Sequence, residues 1–423
     1  MTKTYTLVTG ETLHRIDHAS GLTIFVYPKK GYRSSYAMFG TRYGSVDTAF
    51  IKDGKRIEVP AGIAHYLEHK LFENEDCDAF ARYAKTGASA NAFTSFDVTA
   101  YLFGCADHFS ESLEILLDFV QKPYFTEATV QKEQGIIGQE IRMCDDSPDR
   151  RVLFNLLRAM YREHPVRIDI AGTVESISHI TPELLYDCYY TFYNLHNMVL
   201  TVCGNVTVDE VLEVADRVLI PAKPLSLDSS LPAEPRETYE KEIEQTMPVA
   251  APLFYLGYKC PVEGLHLDPK TIVLAEMVTD LLVGHGSELY ASLMRDGLIN
   301  DSFGGEFFEG RGFALMLIGG ESRDPKAVQQ AIQAEIVHLQ ENGVDAARFA
   351  ELKASVYGRL LRRFNSVESS ATALMDDYFH GFEPFAYTEA AASLEKADLD
   401  RILTEWMLPE CSTLSVVRGK EDA

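Results

Sequence analysis

Residues 221–235, PAKPLSLDSSLPAEP, place four prolines in fifteen positions and show no helical periodicity. Neither a helix nor a central strand runs through such a stretch, because each proline fixes φ and removes a backbone donor. It reads as an extended connection, dividing the chain into residues 1–220, a linker over 221–240 and residues 241–423. Length agrees: 423 residues at about 150 per domain allow two or three domains.

The two halves carry one order of elements. In the first, a strand-like segment over 36–45 precedes an apolar helix around 61–72. A strand read as continuous over 91–103 (NAFTSFDVTAYLF) follows, then helices near 106–122 and 127–145. In the second half, a strand over 252–261 precedes a helix around 270–284. A strand over 313–322 then leads into helices near 325–342 and 345–365. This correspondence predicts an α+β protein built from two copies of one unit.

Composition narrows the function. Apolar residues make up 46% and charged residues 24%, as in a globular chain. The net charge of −24 opposes binding to nucleic acid or anionic membranes and favours basic peptides over acidic ones. No apolar run reaches the length of a membrane span, and MTKTYTLVTGETLHRIDHASGL lacks the apolar core of a secretory signal. Seven cysteines without CxxC spacing argue for reduced thiols and a cytoplasmic location.

Chemistry concentrates in PAGIAHYLEHKLF. His65 and His69 stand at i and i+4, so on a helix their side chains lie one above the other. Two imidazoles so placed can close on one zinc ion at roughly 2.0–2.1 Å. Glu68 is adjacent and can reach a water on that ion without ligating it, the H-x-x-E-H order. A catalytic zinc needs a third protein ligand and an open position. Downstream, TVQKEQGIIGQEIRMCDD offers Glu133 and Glu140 seven residues apart on one helical face, with Ile136, Ile137 and Ile141 as an apolar side.

Together these residues resemble the pitrilysin or insulinase-like family of inverted-motif zinc peptidases, which includes the mitochondrial processing peptidase. Glu140 lies 71 residues after His69, a spacing of the family's kind. GASANAFTSFDVTAYLF (87–103), HPVRIDIAGTVESISHIT (164–181), FYNLHNMVLTVCGNV (192–206) and SELYASLMRDGL (287–298) resemble further family landmarks in the same order. The resemblance implies two homologous domains, each an antiparallel sheet covered by helices, in a chain that dimerises. It implies His65, His69 and Glu140 as zinc ligands, Glu68 as general base and Glu133 as a residue orienting a ligand. It also implies that 87–103 binds an extended peptide along its edge, with Asn91, Ala92 and Phe93 as the substrate-binding stretch.

One feature departs from the family. Many members carry an Arg and, seven residues later, a Tyr in the second domain to hold substrate and oxyanion. Alignment on Gly297 and Leu298 places Leu293 and Asn300 there, with Arg295 two residues out of phase. The sequence therefore resembles the zinc-bearing subunit of bacterial pairs whose homologous, zinc-free partner supplies Arg and Tyr. The function expected is a zinc endopeptidase for small or unfolded peptides, in a heterodimer or homodimer. The alternative is a catalytically weak or inactive structural subunit of a peptidase-like complex.

Overall fold

The computed structural model describes residues 2–7, 10–225, 227 and 230–420; positions 226, 228 and 229 of the expected linker lie outside them. Two compact units form. The first combines Met1–Ile141, Asp169–Ser230 and Leu361–Phe385; the second combines Arg142–Ile168, Leu231–Leu360 and Ala386–Ala423.

Strands of the first unit are β1 (Thr2–Thr6), β2 (Thr12–Asp17), β3 (Thr23–Pro28), β4 (Ser35–Thr41), β5 (Ala49–Lys52), β6 (Lys55–Glu58), β7 (Ser89–Thr94), β8 (Thr99–Cys105) and β9 (Met198–Gly204). Seven of them form a sheet in the order β1-β2-β3-β9-β4-β8-β7, and β5 pairs with β6 separately. The second unit holds β10 (Glu242–Thr246), β11 (Leu253–Lys259), β12 (Gly304–Gly310), β13 (Phe313–Glu321) and β14 (Ser412–Arg418), ordered β10-β14-β11-β13-β12.

The duplication extends to strand direction. β3 runs parallel to β9 and β10 parallel to β14, whereas β4, β8 and β7 alternate as β11, β13 and β12 do. β4 begins at 35 and β11 at 253, 218 residues apart; β9 begins at 198 and β14 at 412, 214 apart. Both units are α+β, and the topology of one core is repeated in the other.

Central strands such as β9 are buried at every position because both sheet faces are covered. In the first unit Ile24, Val26, Phe39, Leu200 and Val202 enter one core, while Phe25, Tyr27, Met38, Val199 and Cys203 enter another on the opposite face. The second core is closed by the helix Val367–Phe379, through Ala371, Leu374, Met375 and Phe379. In the second unit the helix Pro148–Met160 covers β11 and β14, with Val152 packed beside Met247 and Val417. Glycine permits both approaches: a Cβ at Gly40 would meet Met375 Sδ at 2.7 Å, and one at Gly257 would meet Met160 Sδ at 2.5 Å.

These two helices correct the linear division at 220 and 241. Each follows a long helix of its own half, Glu127–Asp145 or Ala346–Arg362, yet supplies the cover of the other half's sheet. The continuous strand expected over 91–103 is also corrected, to a β7–β8 hairpin with Thr94 paired to Thr99. Ser95 makes the turn, its Oγ accepting from Val98 N at 3.0 Å and donating to Val98 O at 3.1 Å. All seven cysteines are free thiols, and no described helix is long and apolar enough to cross a membrane.

Candidate metal centre

The helix Ile63–Leu71 starts abruptly at Gly62, whose φ of 92° is open to glycine. A Cβ there would meet Ala171 O at 2.4 Å, and one at Gly172, also at positive φ, would meet Ala61 O at 2.3 Å. Ser176 Oγ donates to Ala61 O at 2.8 Å. The segment AGTVES thus clamps the first turn. Ile63, Tyr66, Leu67 and Leu71 anchor the helix in the core, leaving His65 and His69 partly exposed with ring centroids 4.6 Å apart.

The helix Glu127–Asp145 packs through Val130, Ile137 and Ile141. Ile136, expected on that apolar side, is corrected to an exposed position at 47% accessibility, because its neighbour Ile137 takes the inward direction. Tyr66 donates its hydroxyl to Val130 O, joining the two helices. A buried Lys70 reaches Glu73 at 2.6 Å, and Lys132 approaches the same carboxylate at 3.6 Å.

Where the two helices face, His65, His69 and Glu140 offer ligand atoms all within 4.8 Å of one another. His65 Nε2 lies 3.5 Å from Glu140 Oε1, and His69 Nε2 lies 3.6 Å from Glu140 Oε2. Tetrahedral ligands at about 2.0–2.1 Å from zinc stand roughly 3.4 Å apart, so the spacing and the His, His, carboxylate donor set fit that ion. Glu133 Oε1 lies 3.1 Å from His69 Nδ1. With Nδ1 donating to that carboxylate, Nε2 is the ring's lone-pair atom and points the available ligand toward Glu140. Burial alone would lower the His69 pKa, but the Glu133 hydrogen bond and the charges of Glu68 and Glu140 raise it above its ordinary value.

Glu68 is 8% exposed. Burial raises its pKa, against the opposing hydrogen bond from Thr94 and the attraction of His69. Thr94 Oγ1 donates to Glu68 Oε2 at 2.7 Å. Sequence reasoning missed Thr94. The signal was the period of β7, whose burial alternates so that Ala90, Ala92 and Thr94 share the less exposed face. Asn91 and Phe93 occupy the exposed face, and Asn91 Oδ1 accepts from Ala92 N at 2.9 Å. Among the described residues β7 is the sheet's last strand, paired only with β8.

The second unit's corresponding helices differ in chemistry. Glu276 and Asp280 stand one turn apart on Pro269–Val283, and Arg359 from Ala346–Arg362 bridges them at 3.0 and 2.6 Å. Leu293 is buried, Asn300 Nδ2 donates to Glu321 Oε2 at 2.6 Å, and Arg295 is exposed.

A duplicated sheet-and-helix fold with a two-histidine, one-carboxylate cluster defines a metallopeptidase-like protein. The chain belongs to the peptidase M16 (insulinase) family: residues 48–174 match the model for insulinase (peptidase family M16), and residues 179–356 match that for the peptidase M16 inactive domain. It is 40% identical over 419 residues to the uncharacterized zinc protease YmfH of Bacillus subtilis (strain 168), covering 97% of each chain. It is similar to the solved M16-like peptidase of Alicyclobacillus acidocaldarius, with a TM-score of 0.91, 34% identity, and 99% and 98% of the two chains covered. Its likeness to pitrilysin, at TM-score 0.78 and 16% identity over 99% of this chain and 46% of that one, concerns the fold.

Proposed function

We propose that the chain is a zinc-dependent endopeptidase acting on small or unfolded peptides. His65, His69 and Glu140 hold the ion, and Glu133 fixes the tautomer and direction of His69. Zinc, when bound there, would supply Lewis acidity. Glu68 accepts the water's proton and returns it to the departing amine. Thr94 orients the Glu68 carboxylate, and the open side of β7 at Asn91, Ala92 and Phe93 receives the peptide as an added strand.

The observation that carries this reading is the matched 3.5 and 3.6 Å spacing across Glu140, with Glu133 on the far nitrogen of His69. Leu293 and Asn300 supply no cation or hydroxyl for the oxyanion, which supports a dimer with a homologous subunit bearing Arg and Tyr. Seven free thiols support a cytoplasmic setting.

Glu68→Gln tests the reading. It should retain about one zinc per chain and lose peptide cleavage by at least about 10²-fold, since a proton acceptor is removed and no ligand is. Cleavage at the parent rate would reject Glu68 as base. Zinc-loaded parent and partner complex that cleave nothing would favour the structural-subunit alternative.

A further inference from the structure

The β7–β8 hairpin sets Thr94 opposite Thr99 as its cross-strand partner. Thr99 is fully buried; its Oγ1 donates to Tyr43 O at 2.9 Å and lies 3.4 Å from Thr94 Oγ1. Deeper in the core, the buried Tyr193 and Tyr101 bring their Oη atoms to 2.9 Å. Burial pushes both phenols well up, the Glu68 charge adds to this at both, and the Thr99 hydroxyl opposes it at Tyr193. Four hydroxyls thus run from the core to Glu68, in the order Tyr101, Tyr193, Thr99, Thr94.

The direction of this run follows from its protons. Each hydroxyl has one to donate, whereas an ionised carboxylate only accepts. Thr94 therefore gives its proton to Glu68, at 2.7 Å, and leaves its lone pairs for Thr99. Thr99 shares its proton between Tyr43 O and Thr94, which leaves its own lone pairs for Tyr193. Among the described residues Tyr101 Oη has Tyr193 Oη as its one hydrogen-bond partner, so Tyr101 donates there and the Tyr193 proton remains for Thr99. The donors all point toward the carboxylate, and in such a chain each bond polarises the next.

We propose that Thr99 and Tyr193 are positioning residues of the cleavage reaction, keeping the Thr94 proton on Glu68 so that the carboxylate holds the orientation that accepts a proton from water. This rests on the peptidase reading for the reaction and goes beyond it in naming residues that act on Glu68 from within the core. A merely structural role has a different signature. A loosened hairpin disturbs β7, on which the peptide would lie, and raises KM. Lost orientation at Glu68 lowers kcat and leaves KM and zinc content as they were.

Thr99→Val, Thr99→Ser and Tyr193→Phe test this in the zinc-loaded complex with a quenched peptide. Thr99→Val should lower kcat about fivefold with KM unchanged, a loss of the size of one neutral hydrogen bond, and Thr99→Ser should recover most of it. Tyr193→Phe, one hydroxyl further away, should lower kcat about threefold, and it carries the test alone if Thr99→Val does not fold. In a Thr94→Val background neither substitution should lower kcat further, because both act through that hydroxyl. An unchanged kcat in either variant, a loss that appears in KM instead, or a loss that persists at full size in the Thr94→Val background would overturn the proposal. A crystal structure of zinc-loaded Thr99→Val, or of Tyr193→Phe in its place, gives a readout independent of turnover. If even the parent cleaves nothing but Thr94 has turned away from Glu68 in the variant, the positioning stands and the peptidase reading fails. Thr94 Oγ1 still 2.7 Å from Glu68 Oε2 in the variant overturns the positioning whatever the activity.

Discussion

Thr94 Oγ1 donates to Glu68 Oε2 at 2.7 Å from the last residue of the edge strand. The bond ties the proposed proton acceptor to the strand on which a peptide would lie, so a shift in one is felt by the other. It also favours the ionised carboxylate that burial opposes. Thr94→Val removes the donor at nearly constant volume. Peptide cleavage should fall roughly tenfold with zinc content unchanged, an effect of the size of one charge-assisted hydrogen bond. Thr94→Ser should recover most of it. Full activity in Thr94→Val, measured on the zinc-loaded complex, would mean that the carboxylate orients itself.

Glu140 and Glu133 separate by metal affinity. Glu140 approaches both histidine ring nitrogens that face the centre, whereas Glu133 contacts the far nitrogen of His69. Glu140→Gln should therefore weaken zinc more than Glu133→Gln, for which a loss of about 10–100-fold is expected. Competition titration against a chelating dye reads both. An unchanged affinity in Glu140→Gln alongside a large loss in Glu133→Gln would exchange their roles.

Self-sufficiency is tested by assembly. Leu293 is buried and Asn300 is engaged by Glu321, so neither position carries the Arg or Tyr whose donors the proposed reaction would use. Loss of one such donor commonly lowers the rate by about 10²–10³. A homologous subunit carrying Arg and Tyr should raise kcat by at least that factor, and mutation of its Arg or Tyr should remove most of the gain. A purified homodimer whose rate no homologous subunit alters would direct attention to Arg295.

Acid stability should depend on His164. Its ring is buried, with Nδ1 accepting from Val166 N at 3.1 Å and Nε2 donating to Arg311 O at 3.0 Å. Burial lowers its pKa from 6.5 to about 4. The unfolded chain binds a proton near 6.5 and the folded one only near 4, so the contribution is intact above pH 6.5 and lost as pH falls to about 4. The shift corresponds to at most about 3 kcal/mol. Denaturation midpoints across pH 8 to 4 (a range of about four units) should fall more steeply in the parent than in His164→Asn, whose side chain does not titrate. Parallel slopes would remove His164 as the cause.

Much of the fold was legible because it is periodic. The helices expected near 127–145, 270–284 and 325–342 fall at Glu127–Asp145, Pro269–Val283 and Pro325–Asn342. Apolar spacing says that such a helix buries a face, but not against which sheet, which is why the placement of Pro148–Met160 and Val367–Phe379 was not legible. β12 was missed because GGEFFEG alternates poorly and holds three glycines. At the site, the H-x-x-E-H spacing pointed to residues that the fold brings together, while Thr94 depended on a turn at Ser95 that broke the expected strand.

The exchange of covering helices sets when the protein can mature. As the chain leaves the ribosome, the sheet carrying β3, β4 and β9 is synthesised long before Val367–Phe379, its lid. Until then Phe25, Met38 and Val199 have no cover, and Pro148–Met160 waits for strands that do not yet exist. The candidate zinc site thus belongs to a unit whose core closes only after residue 379, making its assembly a late event in the life of the polypeptide.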